Sequence, residues 1–145
     1  MKLLPLLLAL ANLCVMSTVE AAGFKAGVAV RTVTPSPLLP VSGGMGPSSK
    51  ASEKKGDLTV RALALGNTQT QLVIVSSDFL GFPAALGDKV RAQVMWIPSE
   101  HILIGASHTH SAPDCYGFPD GKGGTDADLE YLNFVCDQMA GAIHS

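Results

Sequence analysis

The chain has 145 residues, a formal net charge of −2 and an apolar fraction of 47%. This length accommodates one modest domain, and the apolar fraction argues against disorder. The low, mixed charge argues against a nucleic-acid partner. With 15 glycines and 9 prolines, the composition is typical of a loop-rich globular domain of mixed type.

The first 21 residues have the pattern of a secretory signal peptide. A short basic start is followed by an apolar run over residues 3–15 and by small residues that end at Ala21. A membrane anchor is the alternative, but the apolar run is short for a bilayer span. We therefore expect residues 1–21 to be removed, residues 22–145 to remain, and the protein to be secreted or periplasmic.

The hydrophobic pattern predicts four strands and two helices. The strands are expected over residues 26–34, 58–65, 71–76 and 101–106, with a hairpin turn at Gly66-Asn67 between the second and the third. Apolar residues at helical spacing predict one helix over residues 84–96 and another that starts at Asp126.

The third and fourth strands and the helix between them form a strand–helix–strand unit. Such a crossover joins parallel strands, so both strands end at the same edge of the sheet, where ligand sites of open α/β sheets lie. Asp78 follows one of these strands, and His108 and His110 follow the other. The expected fold is α/β, a mixed sheet with one parallel unit and flanking helices, in an incomplete domain.

The two histidines are the strongest functional signal in the chain. They lie two residues apart, directly after an apolar strand, and alternate residues of an extended chain point to the same side. Neutral imidazole is the commonest metal ligand in proteins, and a catalytic zinc needs about three protein ligands. Asp78 is either a carboxylate that orients a liganding imidazole or a turn former at the end of its strand.

The run from Ser107 to Pro113 resembles the His-Thr-His-Ser-Gly-Pro motif of the neutral/alkaline (non-lysosomal) ceramidases, with Ala112 in place of glycine. That family carries the motif after a hydrophobic strand, as here. Further similarities occur in the same order along the chain, at Gly27–Pro35, Gly44-Met45-Gly46, Val60-Arg61-Ala62 and Val75–Asp78. The resemblance covers most of the mature chain but only the start of the family's catalytic domain.

The resemblance implies a zinc-dependent amidase that cleaves the N-acyl bond of ceramide to give sphingosine and a fatty acid. It implies that His108 is a zinc ligand and that His110 is a catalytic residue, which positions the substrate or polarises its carbonyl. Gly44 and Met45 would contact a ceramide-like lipid, with peripheral contact to a membrane. The family's other ligands, a histidine, a glutamate and a tyrosine, lie far downstream of the matched region.

Two alternatives to a ceramidase stay open at this point. Asp114-Cys115-Tyr116 stands where the family tends to have glycines, so a zinc hydrolase of another amide or ester is one alternative. A secreted binding fragment without a complete zinc site, inactive by itself, is the other. Three interpretations of Cys115 and Cys136 stay open: a disulfide between them, a metal contact by Cys115 near the histidines, or two small buried residues.

Overall fold

The computed structural model describes residues 23–44 and 46–145. The predicted signal peptide and Met45 lie outside the described residues. The elements, in chain order, are β1 (Lys25–Thr32), β2 (Thr59–Gly66), β3 (Gln71–Ser77), α1 (Ala84–Ala92), a 3-10 turn (Ser99–His101), β4 (Ile102–Ala106) and α2 (Leu129–Ile143).

The strands form one mixed sheet in the order β1-β2-β3-β4. The first two neighbouring pairs are antiparallel, while β3 and β4 are parallel, with Ser77 opposite Ala106. This arrangement confirms the predicted α/β fold with a parallel strand–helix–strand unit. Because the parallel strands end side by side, the segments that follow them emerge at one edge of the sheet.

Both helices differ from the predicted ranges at one end. The helix α1 stops at Ala92 instead of residue 96, because the amide groups of Gln93 and Val94 donate to carbonyls only three residues back, which tightens the last turn. The helix α2 starts at Leu129 instead of Asp126. There the Asp128 side chain caps the helix by accepting from the Tyr131 backbone N–H.

The helix α2 covers one face of the sheet and packs against α1. Most of its apolar residues are buried, and the fully buried Met139 and Val135 pack in one core with valines from the strands, including Val60 and Val75. The buried Tyr131 hydroxyl donates to the Val33 carbonyl at 2.8 Å, which joins the helix to the chain after β1. None of the helices in residues 23–44 and 46–145 is long and apolar enough to cross a membrane.

The opposite face of the sheet is open and largely apolar. One row of this face runs across all four strands through Val28, Leu63, Ile74 and Leu103, which stand opposite one another in register. Val28 is 79% exposed and Leu103 is 60% exposed. Apolar surface is therefore uncovered on this face of the sheet, as it is at Leu129 and Phe134 of α2.

Candidate functional site

His108 and His110 lie together at the edge of the sheet where β3 and β4 end. Their ring centroids are 5.1 Å apart and the rings meet edge to face at 85°. The chain reaches this contact by a turn and not by an extended strand, because His108 has a left-handed backbone with φ of 62°. Non-glycine residues adopt that conformation at an energetic cost, and such residues cluster at functional sites.

A backbone carbonyl fixes the orientation of His108. The distance from its Nδ1 to the Leu80 carbonyl oxygen is 2.6 Å. Since a carbonyl only accepts, Nδ1 carries a proton, and in the tautomer with that one proton Nε2 is the nitrogen with the lone pair. Metal-ligating histidines commonly donate their second ring N–H to a carbonyl in this way. The donor chemistry at His108 therefore fits a zinc ligand that binds through Nε2.

A glycine of the loop after β1 packs against the ring of His110. Gly43 has φ of +110°, and a Cβ built there would lie 3.0 Å from His110 Cγ. The loop is held in place by the Ser42 amide, which donates to the Ala112 carbonyl at 2.8 Å. Gly44, the predicted substrate contact, is exposed and has open space beside it. The role predicted for Gly44 stays a prediction.

Asp78 lies at the same edge of the sheet, but its carboxylate is bonded to β2. One oxygen accepts from the Thr59 backbone N–H at 3.0 Å and from the Thr59 hydroxyl at 2.8 Å, and Arg61 donates to both oxygens at 3.2 Å. Burial opposes ionisation, but these hydrogen bonds and the Arg61 charge hold the pKa of Asp78 below its ordinary value. These contacts are those of a structural carboxylate that joins β2 to β3.

The segment after the histidines is anchored by a buried aspartate. The Asp114 carboxylate is 1% exposed and accepts from the backbone amides of Tyr116 at 2.8 Å and Phe118 at 2.6 Å. The Cys115 thiol donates to the Gly81 carbonyl at 3.1 Å, and burial raises the pKa of this thiol to about 11. Cys115 and Cys136 are both buried free thiols, as expected of small buried residues.

A cavity of about 810 Å³ borders the motif on the side of its hydroxyl groups. Ser107, Thr109 and Ser111 line one wall. Apolar side chains from the loop after β1 line another part of the cavity, among them Leu38, Leu39 and Val41. Charged side chains of the loop before β2 complete the lining, among them Lys50 and Asp57. The volume falls in the range of small-molecule sites.

The described residues supply only part of a metal centre. Within residues 23–44 and 46–145, no group of three or more His, Cys, Asp or Glu side chains is arranged to hold a metal ion. A four-coordinate zinc that used His108 would therefore need further ligands from outside this part of the protein.

Two contacts of the site were not predicted from the sequence. The Leu80 carbonyl orients His108, and the Gly81 carbonyl accepts from Cys115. Both are backbone groups, which every residue carries, so no residue type marked them. Gly81 itself was the one available signal, since a glycine after a strand end often marks close approach of another group.

Comparison with solved structures gives the same fold. The crystal structure of neutral ceramidase from Pseudomonas aeruginosa superposes with a TM-score of 0.59 over 83% of this chain, at 16% sequence identity. A structure described as a ceramidase complexed with C2 superposes with a TM-score of 0.60 over 83% of this chain, at 17% identity. The chain has the fold of part of a neutral ceramidase.

The likeness is one of structure and not of close sequence. No protein-family model matches the sequence, and no curated protein matches it either. The chain spans 21% and 20% of the lengths of the two ceramidase chains. Because this match is to only about a fifth of each ceramidase, it establishes the fold around the histidines and leaves the activity to be proposed.

Proposed function

We propose that this chain carries one side of the active site of a zinc-dependent hydrolase that cleaves the N-acyl amide bond of a ceramide-like lipid. The observation that carries the proposal is the orientation of His108, whose Nδ1 is bonded to the Leu80 carbonyl and whose Nε2 is left to bind an electrophile, on a fold shared with neutral ceramidases. Export through residues 1–21 and peripheral membrane contact belong to the same proposal.

His108 and His110 take different roles in this reaction. His108 would hold the metal ion through Nε2, together with ligands from outside the described residues. A bound zinc ion supplies Lewis acidity that makes water a nucleophile near neutral pH. His110, whose ring centroid is 5.1 Å from that of His108, would donate a hydrogen bond to the substrate carbonyl oxygen beside that metal ion.

The cavity beside the motif would hold the lipid. Its apolar lining from the loop after β1 suits a hydrocarbon chain, and the hydroxyls of Ser107, Thr109 and Ser111 suit the polar part of an N-acylated amino alcohol. Because Gly43 has no side chain, this loop packs directly against the His110 ring. These contacts support an amphipathic substrate.

The test compares His108→Ala with His101→Ala, whose histidine lies at the opposite end of β4. Zinc content after dialysis and hydrolysis of an N-acyl sphingosine are measured for the encoded protein. We expect His108→Ala to lose bound zinc and to lower hydrolysis at least about 100-fold, with His101→Ala unchanged. Equal zinc content and activity in the two variants would refute the proposal. A protein that binds the lipid, but does not bind zinc and does not hydrolyse the lipid, would instead be a binding fragment.

A further inference from the structure

The short segment after β3 supports the histidine motif through two successive carbonyl groups. The Leu80 carbonyl accepts from His108 Nδ1 at 2.6 Å, and the Gly81 carbonyl accepts from the Cys115 thiol at 3.1 Å. The two peptide planes that carry these carbonyls meet at the Cα atom of Gly81, and each plane is rigid. The position of Gly81 therefore controls the direction of the Leu80 carbonyl.

Tyr116 covers Gly81 so closely that no side chain fits there. A Cβ built at Gly81 would lie 1.8 Å from the Tyr116 hydroxyl oxygen and 2.7 Å from its Cζ. Real Cβ atoms do not approach other atoms this closely, so a side chain at this position would displace either the tyrosine or the segment.

The backbone of Tyr116 is held in place, while the residue as a whole is 51% exposed. Its backbone N–H donates to the buried Asp114 carboxylate at 2.8 Å, and its ring stacks on Phe118 with centroids 5.4 Å apart. The second Asp114 oxygen accepts from the Phe118 amide, so one buried carboxylate holds the backbone of both aromatic residues. A side chain at position 81 would therefore press on the Tyr116 ring, on its stacking contact with Phe118 and on the segment that carries the Leu80 carbonyl.

We propose that Gly81 is a positioning residue for His108. By fitting beneath the Tyr116 hydroxyl and accepting from Cys115, it directs the Leu80 carbonyl at Nδ1 of His108 and so keeps Nε2 available to a metal ion. The inference rests on the proposed function for the use made of Nε2. The orientation of His108 itself can be tested without any activity.

The experiment measures the His108 tautomer and the Zn²⁺ affinity of the same variants. In ¹⁵N-histidine-labelled protein without metal, we expect His108 to be protonated on Nδ1, and Gly81→Ala to shift it toward a mixture of tautomers. Zn²⁺ alone should bind about 10–100-fold more weakly to Gly81→Ala. Gly27→Ala is the matched control, because a Cβ there meets nothing within 4 Å.

A second substitution separates the steric cause from a general loss of structure. Tyr116→Ala removes all three of the atoms nearest to the Gly81 Cβ position, so the Gly81→Ala/Tyr116→Ala double variant should recover the parental tautomer and Zn²⁺ affinity. If Gly81→Ala alone does not fold, the His108 tautomer in Cys115→Ala and Cys115→Ser tests the positioning role instead. The serine keeps a donor to the Gly81 carbonyl and should preserve the Nδ1 tautomer, while the alanine should not.

The outcomes distinguish the inference from the proposed function. An unchanged Nδ1 tautomer in Gly81→Ala, a double variant that recovers nothing, or equal spectra for Cys115→Ala and Cys115→Ser would each overturn the positioning role. A parental protein that binds no Zn²⁺ but shows the Gly81-dependent tautomer would overturn the zinc proposal alone.

Discussion

Replacement of Asp78 tests whether this carboxylate is structural or serves the histidines. Its hydrogen bonds to the Thr59 amide and hydroxyl, at 3.0 and 2.8 Å, are the main contacts to be lost. Hydrogen bonds to a charged group contribute about 1.5–3 kcal/mol each, at the low end where water can compete. The Arg61 side chain is 50% exposed, so its ion pair adds only about 0–1 kcal/mol.

With the two Thr59 hydrogen bonds at the low end of that range, these contributions predict that Asp78→Ala lowers the free energy of unfolding by about 3–4 kcal/mol at pH 7. Asp78→Asn keeps an acceptor for Thr59 and should cost about 1 kcal/mol. Urea unfolding measures both, and Asp88→Asn is the control, because the Asp88 side chain is 74% exposed in its ion pair with Arg91 and should change stability by less than about 0.5 kcal/mol.

The pH dependence gives the sign of the effect. The folded pKa of Asp78 lies below the ordinary value of 3.8, so its stabilisation is complete above that value and is lost as the pH falls through the lowered folded value. The difference in free energy of unfolding between the parental protein and Asp78→Asn should therefore disappear in strong acid. If Asp78→Ala unfolds within about 0.5 kcal/mol of the parental protein yet weakens Zn²⁺ binding, the structural account is wrong and Asp78 serves the histidines.

Two further predictions concern the packing around the motif. Phe79 is fully buried, and its ring centroid lies 6.2 Å from those of Phe82 and Tyr131. Phe79→Ala should therefore lower the free energy of unfolding, measured in urea, by about 3–5 kcal/mol. Phe24→Ala, which removes a 71% exposed ring, is the control, and an equal loss in the two variants would contradict the packing. Burial raises the pKa of the Cys115 thiol to about 11, so the rate of its alkylation in the native protein should rise about tenfold per pH unit up to that value. Peptide mass spectrometry measures this rate. Rapid labelling at pH 7 would contradict the burial of the thiol and its hydrogen bond to the Gly81 carbonyl.

Part of the candidate site followed from the sequence and part did not. The helical period between two apolar strands predicted the parallel crossover, and the crossover placed Asp78, His108 and His110 at one edge of the sheet. The imidazoles do meet, although His108 reaches the contact through a left-handed turn that the alternation of an extended chain did not predict. Asp78 lies at the expected edge, but its hydrogen bonds go to Thr59 and Arg61, since side-chain partners depend on distances that local pattern does not encode.

The sequence by itself determined the order of strands and helices, the parallel crossover and the residues with metal-binding chemistry, because local periodicity and side-chain type specify these. Tertiary structure alone decided which nitrogen of His108 is free, since that depends on a carbonyl of Leu80, 28 residues away along the chain. It also decided that a Cβ at position 81 would meet the Tyr116 ring, which covers Gly81. Backbone carbonyls and close approaches carry no residue-specific signature, so only the folded chain reveals them.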